Sequence, residues 1–315
     1  MSPVKSKIKS KLRKGVKRIK TVLHGSCAVL LYHRVTTLES DPQLLSVSPA
    51  NFNAQLKWLK EEYNVLTVEQ FSHCLLNKKR FPKNSVLITF DDGYADNLLE
   101  ALPVLEKHKI QALFYIATAT LNTSNEYWWD AVERILLLTK KDEKKYRELL
   151  PTLRSMNAKD RDKLILQWAQ ELGSTGGRET HRALTFYELK KLSKSPSAVV
   201  GAHTHGHPSL AALSYSEQMD EINTSVSTLE GLLAKQITHF SFPFGTANDF
   251  NSNTIKVCKE LGLKLVAANI ADLANKKSNP LCFPRFIVRD WKVDEFEKNL
   301  QGFFKNLINT HGRNN

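Results

Sequence analysis

Val86-Leu87-Ile88-Thr89-Phe90-Asp91-Asp92-Gly93 is the stretch on which the reading of this chain turns. Its first five residues are apolar or β-branched with no polar break, the pattern of a strand buried on both faces of a parallel sheet. It then ends abruptly on two adjacent carboxylates and a glycine that lets the backbone turn sharply. In α/β barrels the chemistry collects at the carboxyl ends of the strands, which is where this acid pair falls. Two like charges side by side are costly unless a cation lies beside them. A metal held by one carboxylate would meet that need and leave the other free as a base. Read alone, the same residues also suit a solvated turn. An EF-hand is excluded, because the acids do not alternate through a twelve-residue loop.

Working outward, the apolar runs predict further strands over 26–32, 112–117, 198–201, 239–242, 264–268 and 283–288. Helical periodicity predicts helices over 52–63, 67–76 (with Thr67 as its cap), 98–108 and 219–234. Buried strands alternating with helices mean parallel βαβ units, and about seven of them suggest a closed or nearly closed α/β barrel. The segment from Leu121 to Pro196 breaks the rhythm. It is charged and helix-like, starts with Tyr127-Trp128-Trp129-Asp130, and reads as an insertion of roughly three helices over the barrel mouth. The expected organisation is a basic segment over 1–24 and a barrel over 25–315, with the helical insertion at about 122–196.

The chain has 315 residues, of which 42% are hydrophobic, enough for a sizeable core. Nine Lys and Arg and no acid lie in residues 1–24, which leaves +4 of the net +13 for everything else. The excess charge belongs to the tail, which speaks against a nucleic-acid-binding face on the barrel. Ile8, Leu12, Val16, Ile19 and Leu23 fall on one helical stripe among those basic residues, so residues 5–23 are expected to lie flat on an anionic membrane surface. A disordered basic tail, or one that binds nucleic acid, is the alternative. No apolar run is long enough to span a membrane, and the run from Val22 to Leu31 is broken by His24 and Gly25 with no small-residue cleavage site after it. The four cysteines match neither a zinc ribbon nor a disulfide framework. The expectation is a cytoplasmic protein, peripheral on the inner membrane face.

The second chemical signal is Gly201-Ala202-His203-Thr204-His205-Gly206-His207-Pro208, also placed just after a strand. The spacing of four predicts His203 and His207 on one side of a helical turn, sharing a metal, with His205 pointing elsewhere. One Asp and two His with open positions suit both hydrolytic zinc and non-haem iron. The usual iron oxygenase architecture is all-β, and the βα rhythm speaks against it.

In this order and about 110 residues apart, the T-F-D-D-G and H-T-x-x-H-P runs resemble the first two motifs of the polysaccharide deacetylase family (carbohydrate esterase family four). The resemblance covers roughly residues 27–121 and 196–290. It implies a distorted (β/α)7 barrel and a metal-dependent hydrolase that removes N-acetyl groups from a glycan, polymeric or lipid-linked. It further implies Asp91 as catalytic base and Asp92, His203 and His207 as ligands of a divalent metal, with zinc expected and cobalt, nickel or iron left open. Asn97 would stand behind them. The run Phe240-Ser241-Phe242-Pro243-Phe244-Gly245 resembles the third motif, so the Phe244 backbone N–H would help hold an oxyanion, with Gly245 beside it at the substrate. The chain departs from the common pattern twice. The Arg usual near Ser241 is absent, and Arg285 is expected to supply that charge. The late acid His is absent too, and Tyr32-His33-Arg34-Val35 instead resembles the Y-H motif of the circularly permuted poly-N-acetylglucosamine deacetylases, which makes His33 the expected general acid. Trp128 and Trp129 are candidate stacking platforms for sugar, although two adjacent Trp on a helix cannot both face one side. A hydrolase of a non-sugar amide and a non-catalytic glycan-binding barrel remain as alternatives.

Overall fold

The strand that carries the acid pair, β2 (Ser85–Phe90), is buried along its whole length, as is β1 (Ser26–Tyr32). The two run parallel with Cys27 opposite Ser85 and Tyr32 opposite Phe90, so their carboxyl ends are level. The computed structural model describes residues 25–139 and 143–305, and the basic tail expected over 1–24 lies outside them. From β2 the sheet continues in parallel through β3 (Ala112–Ile116), β4 (Ala198–Ala202), β5 (His239–Ser241) and β6 (Leu265–Ala267). Closure comes from β7 (Phe286–Ile287), which pairs in parallel with β1, while Phe283 makes a parallel bridge to Ala267 of β6. Seven parallel strands therefore form the ring, as the alternation of apolar runs implies. The last strand is shorter than the expected 283–288. Pro284 has no N–H for a ladder, and the Arg285 N–H is donated out of the sheet to the Ile270 carbonyl.

Helices α1 (Pro49–Glu62) and α2 (Val68–Leu76) follow β1, and Thr67 caps α2 in a reciprocal box with Gln70. Helix α3 (Leu102–His108) is preceded by a π turn, Asn97–Ala101, rather than starting as α-helix at residue 98. Pro103 has no N–H to return to Leu99, which removes the i→i−4 bond that would keep that turn tight. Between β3 and the barrel helix α7 (Phe186–Lys194) come α4 (Trp128–Leu138), α5 (Glu143–Ser155) and α6 (Ala158–Glu171). They pack on one another, α4 against both partners. Helix α7 falls inside the range expected for the insertion but packs on β4, so the inserted part ends before it. Helices α8 (Tyr215–Leu233), α9 (Ser252–Glu260) and α10 (Val293–Lys305) complete the outer layer. The four cysteines are free. Among the described residues no helix is long and apolar enough to cross a membrane.

Candidate metal and catalytic site

The end of β2 sets the geometry. The Asp91 N–H is donated to the Tyr32 carbonyl at 3.0 Å, which carries the ladder one residue beyond the strand. The chain then turns through two left-handed residues, Asp92 (φ 76°) and Gly93 (φ 90°). A side chain at Gly93 would meet Ile116 at 3.0 Å. The left-handed Asp92 costs on the order of 1 kcal/mol or more and must be held by its surroundings. Its carbonyl accepts from the Tyr127 hydroxyl at 2.6 Å and from the Ala117 N–H at 3.0 Å. The inserted segment thus clamps the turn that aims the second carboxylate.

The histidines follow β4, but not on a helical turn as their spacing predicts. Residues 203–207 are a loop in which Thr204 (φ 65°) and His207 (φ 53°) are left-handed. Glu221 of α8 accepts from the N–H groups of His205 and Gly206, and Thr204 Oγ1 accepts from that of His207. These bonds replace helical ones and still bring the two rings together, with centroids 4.9 Å apart. His203 Nε2 and His207 Nε2 lie 3.5 and 3.4 Å from Asp92 Oδ1. His205 turns away toward Thr118.

Beside this trio, Asp91 is gripped by Arg285, Nη1 to Oδ1 at 2.7 Å and Nη2 to Oδ2 at 2.8 Å. Arg285 is fully buried, and it also donates to Ser241 Oγ at 2.6 Å. The charge missing from the strand of Ser241 is thus supplied by Arg285, the residue just before β7. Burial alone would raise the Asp91 carboxyl, but the guanidinium outweighs it and holds the group below the usual carboxylate range. Burial would raise Asp92 too, and the hydrogen bonds from His203 and His207 reverse that. Burial lowers His207 to about 4 against the pull of Asp92, whereas the two carboxylates win at His203 and raise it. His33 follows Tyr32, level with Asp91 through the β1–β2 register, and is only partly covered. Burial lowers its pKa, and Asp92 and Asp91 oppose that.

The residues present fit a metal ion. Ligand atoms about 2.1 Å from a shared tetrahedral centre lie about 3.4 Å apart, which is the spacing from Asp92 Oδ1 to each imidazole, and all three ligand atoms lie within 4.8 Å of one another. His203 Nδ1 faces the Ser241 carbonyl at 2.8 Å, the outer partner that fixes the tautomer leaving Nε2 as the ligand atom. Three protein ligands leave a position open, as in catalytic rather than structural zinc sites. A second buried group, Asp130, Glu133 and His181, is also close-set. Tyr94 donates to Asp130, Arg178 donates to Glu133 Oε2, and burial pushes Asp130 up to about 8, whereas Glu133 Oε1 and His181 Nε2 have no hydrogen-bond partner.

Of four other expected positions, three come out differently. Trp128 is not an open platform. It and Trp129 are both buried, Trp128 against the Arg161 guanidinium and Trp129 against His207 at 4.6 Å. Gly245 is used up inside its turn, since its N–H is donated to Pro243, its carbonyl accepts from Asn269, and a Cβ would meet the Asn269 nitrogen at 2.7 Å. Asn97 touches none of the proposed ligands and donates instead to the His33 carbonyl at 2.8 Å, so it braces the acid candidate. Phe244 does sit at the site, left-handed at φ 58°, its ring between His207 and the Arg154 guanidinium. The support that the sequence reading does not single out is Tyr94, and Trp129, expected only as a stacking candidate, serves as a second one. Trp129 donates to the Tyr94 hydroxyl, and Tyr94 donates on to Asp130. The run Tyr127-Trp128-Trp129-Asp130 holds Trp129 and Asp130, while Tyr94 stands directly after the acid pair and Gly93.

A family model described as polysaccharide deacetylase matches residues 78–266. The chain belongs to the polysaccharide deacetylase family. Two curated family relatives are similar over most of its length. YxkH of Bacillus subtilis (strain 168) is 24% identical over 78% of the chain, which spans 66% of that protein. The poly-beta-1,6-N-acetyl-D-glucosamine N-deacetylase of Staphylococcus aureus (strain MSSA476) is 26% identical over 82% of the chain and 73% of its own length. Among solved structures of the family fold, IcaB from Ammonifex degensii superposes with a TM-score of 0.62 at 19% identity, covering 89% of the chain and 97% of IcaB. The matched range 78–266 holds Asp91, Asp92, His203 and His207 but neither His33 nor Arg285, which the closed ring brings to the same end.

Proposed function

We propose that this protein removes N-acetyl groups from a sugar of a glycan by metal-assisted hydrolysis. The observation that carries the reading is the Asp92–His203–His207 ligand set beside a second carboxylate, Asp91, that Arg285 keeps ionised. A divalent ion held there, for which we propose zinc, supplies polarisation of the amide carbonyl and a more acidic water. Asp91 receives the proton of the attacking water. Its lowered pKa favours the ionised form that can accept that proton and makes it a weak base, suited to a water whose own pKa a bound ion would lower. The Phe244 N–H donates to the developing oxyanion, a role open to a left-handed backbone position outside any ladder. His33 gives a proton to the departing amine, which is a very poor leaving group without one. We further propose that the basic segment over 5–23 holds the enzyme on an anionic membrane surface on the cytoplasmic side, which favours a lipid-linked glycan as substrate. The test is acetate release from a panel of N-acetylated mono- and oligosaccharides, before and after chelation. Release that chelation abolishes and added zinc restores supports the assignment. No release from any N-acetylated sugar in metal-loaded protein overturns it.

A further inference from the structure

Between α4, α6 and the loops after β3 and β4 lies a cavity of about 400 Å³ that reaches His207. Ala131, Ile165 and Ala169 give it an apolar flank, yet its wall also contains two buried nitrogens without partners. Arg161 is 1% exposed; its Nε is held by Asp162 and its Nη2 by the Gly206 carbonyl, but nothing accepts from its Nη1. Trp128 is 7% exposed and nothing accepts from its Nε1. The Arg161 guanidinium lies 4.8 Å from the Trp128 ring, so the two donors are neighbours. His207 Nδ1 is a third orphan in the same wall, and it carries a hydrogen whenever Nε2 binds a metal.

A buried donor without an acceptor costs about 1–3 kcal/mol, and a charged one more, so a wall holding several is built for something that accepts. Among the described residues the one further orphan in the wall, Thr120 Oγ1, is a neutral hydroxyl; with no orphaned acid to match them, the nitrogen donors select oxygen ligands, and a guanidinium selects anionic ones. The one buried acid in the wall is Glu126, and Arg134 and Arg178 occupy its two oxygens at 2.8 and 2.5 Å. It has nothing left for Arg161. Volume agrees, since a few hundred cubic ångströms is the size of a small-molecule site and far more than one water needs.

We infer that this cavity is an oxyanion subsite: Arg161 and the indole N–H of Trp128 bind a phosphate or carboxylate carried by the substrate next to the sugar that is deacetylated. This rests on the deacetylase reading for its purpose but not for its chemistry. It makes the substrate class an anionic N-acetylated glycan, and it gives the insertion the task of selecting it.

The experiment uses the full chain and follows tryptophan fluorescence and calorimetry with inorganic phosphate, N-acetylglucosamine 1-phosphate, glucuronate and uncharged N-acetylglucosamine. Saturable binding of at least one anionic probe, tighter than that of the uncharged sugar, is expected. Trp128→Phe removes one N–H and keeps a ring, and should weaken anion binding about tenfold. Arg161→Lys keeps the charge, loses the fork, and should weaken it at least as much. The same titrations in His203→Ala separate this cavity from anion binding at the metal, because cavity binding survives there. Kinetically, the preference in kcat/KM for the phosphorylated over the uncharged sugar should fall toward one in Arg161→Lys, mainly through KM. Anion affinities unchanged in both cavity variants, or binding that vanishes in His203→Ala, overturns the inference even if the enzyme proves to be a deacetylase. Intact anion binding without acetate release would instead keep the subsite and reject the activity.

Discussion

Replacing Arg285 by Met tests the most consequential contact in the site. The guanidinium is fully buried and makes two bonds of 2.7 and 2.8 Å to Asp91, itself only 3% exposed. Removing one partner of such a pair leaves an uncompensated buried charge, at a cost of about 3–5 kcal/mol. At roughly 2–4 °C per kcal/mol for a domain near this size, the melting temperature should fall by roughly 6–20 °C. Asp91→Asn alone strands the arginine in the same way. The double variant strands neither charge, so its loss should be smaller than the sum of the single losses by roughly 2 kcal/mol or more. Thermal unfolding by circular dichroism gives the cycle, and metal analysis of each form accompanies it. Metal content should stay near one ion per chain throughout, because Asp92, His203 and His207 are untouched. Losses that add to within about 0.5 kcal/mol would refute the reasoning, since they would mean that Asp91 and Arg285 do not feel each other. Loss of metal in Arg285→Met alone would mean that the arginine orders the ligands rather than the base.

His203→Ala should lose most of the bound metal, and full occupancy in the His203→Ala, His207→Ala double variant would rule out these ligands. Asp91→Asn should keep the metal and lose turnover by several orders of magnitude. His33→Ala should also keep the metal and lose turnover, and near-normal activity there would assign the proton donor elsewhere. Glu126 has a lowered pKa, despite burial, because Arg134 and Arg178 bond to it. A depressed carboxyl stabilises above its unfolded pKa, near 4.5, and that contribution fades as pH falls through the folded value. Proteolysis within residues 126–178 should therefore rise below about pH 4.5 in the native chain and change less with pH in Glu126→Gln. For the tail, full-length protein should sediment with anionic vesicles and a form lacking residues 1–23 should not; equal recovery of both in the supernatant would dismiss the membrane surface as a partner.

Much of this protein was legible in order along the chain. The short apolar runs, too brief for helices and rich in β-branched residues, read as strands buried on both faces, and their alternation with helices leaves a parallel barrel as the simplest arrangement. Asp91, Asp92, His203 and His207 could be picked out because local sequence fixes both their type and their place at strand ends. Spacing alone misjudged how the histidines meet. A separation of four suits a helical turn, whereas two left-handed residues and the carboxylate of Glu221, from a helix further along, shape a loop instead. The same limit applies to Trp128, whose burial under Arg161 depends on a helix thirty residues away, and to Gly245, whose N–H and carbonyl are consumed by neighbours. Arg285 lies 194 positions from Asp91, and closing the ring through Phe283 and β7 makes them partners. Periodicity and local chemistry act within a few residues and are written in the sequence. Which donors are orphaned, which charges are paired, and where a cavity remains are properties of surfaces meeting across the chain, and these only the tertiary structure decided.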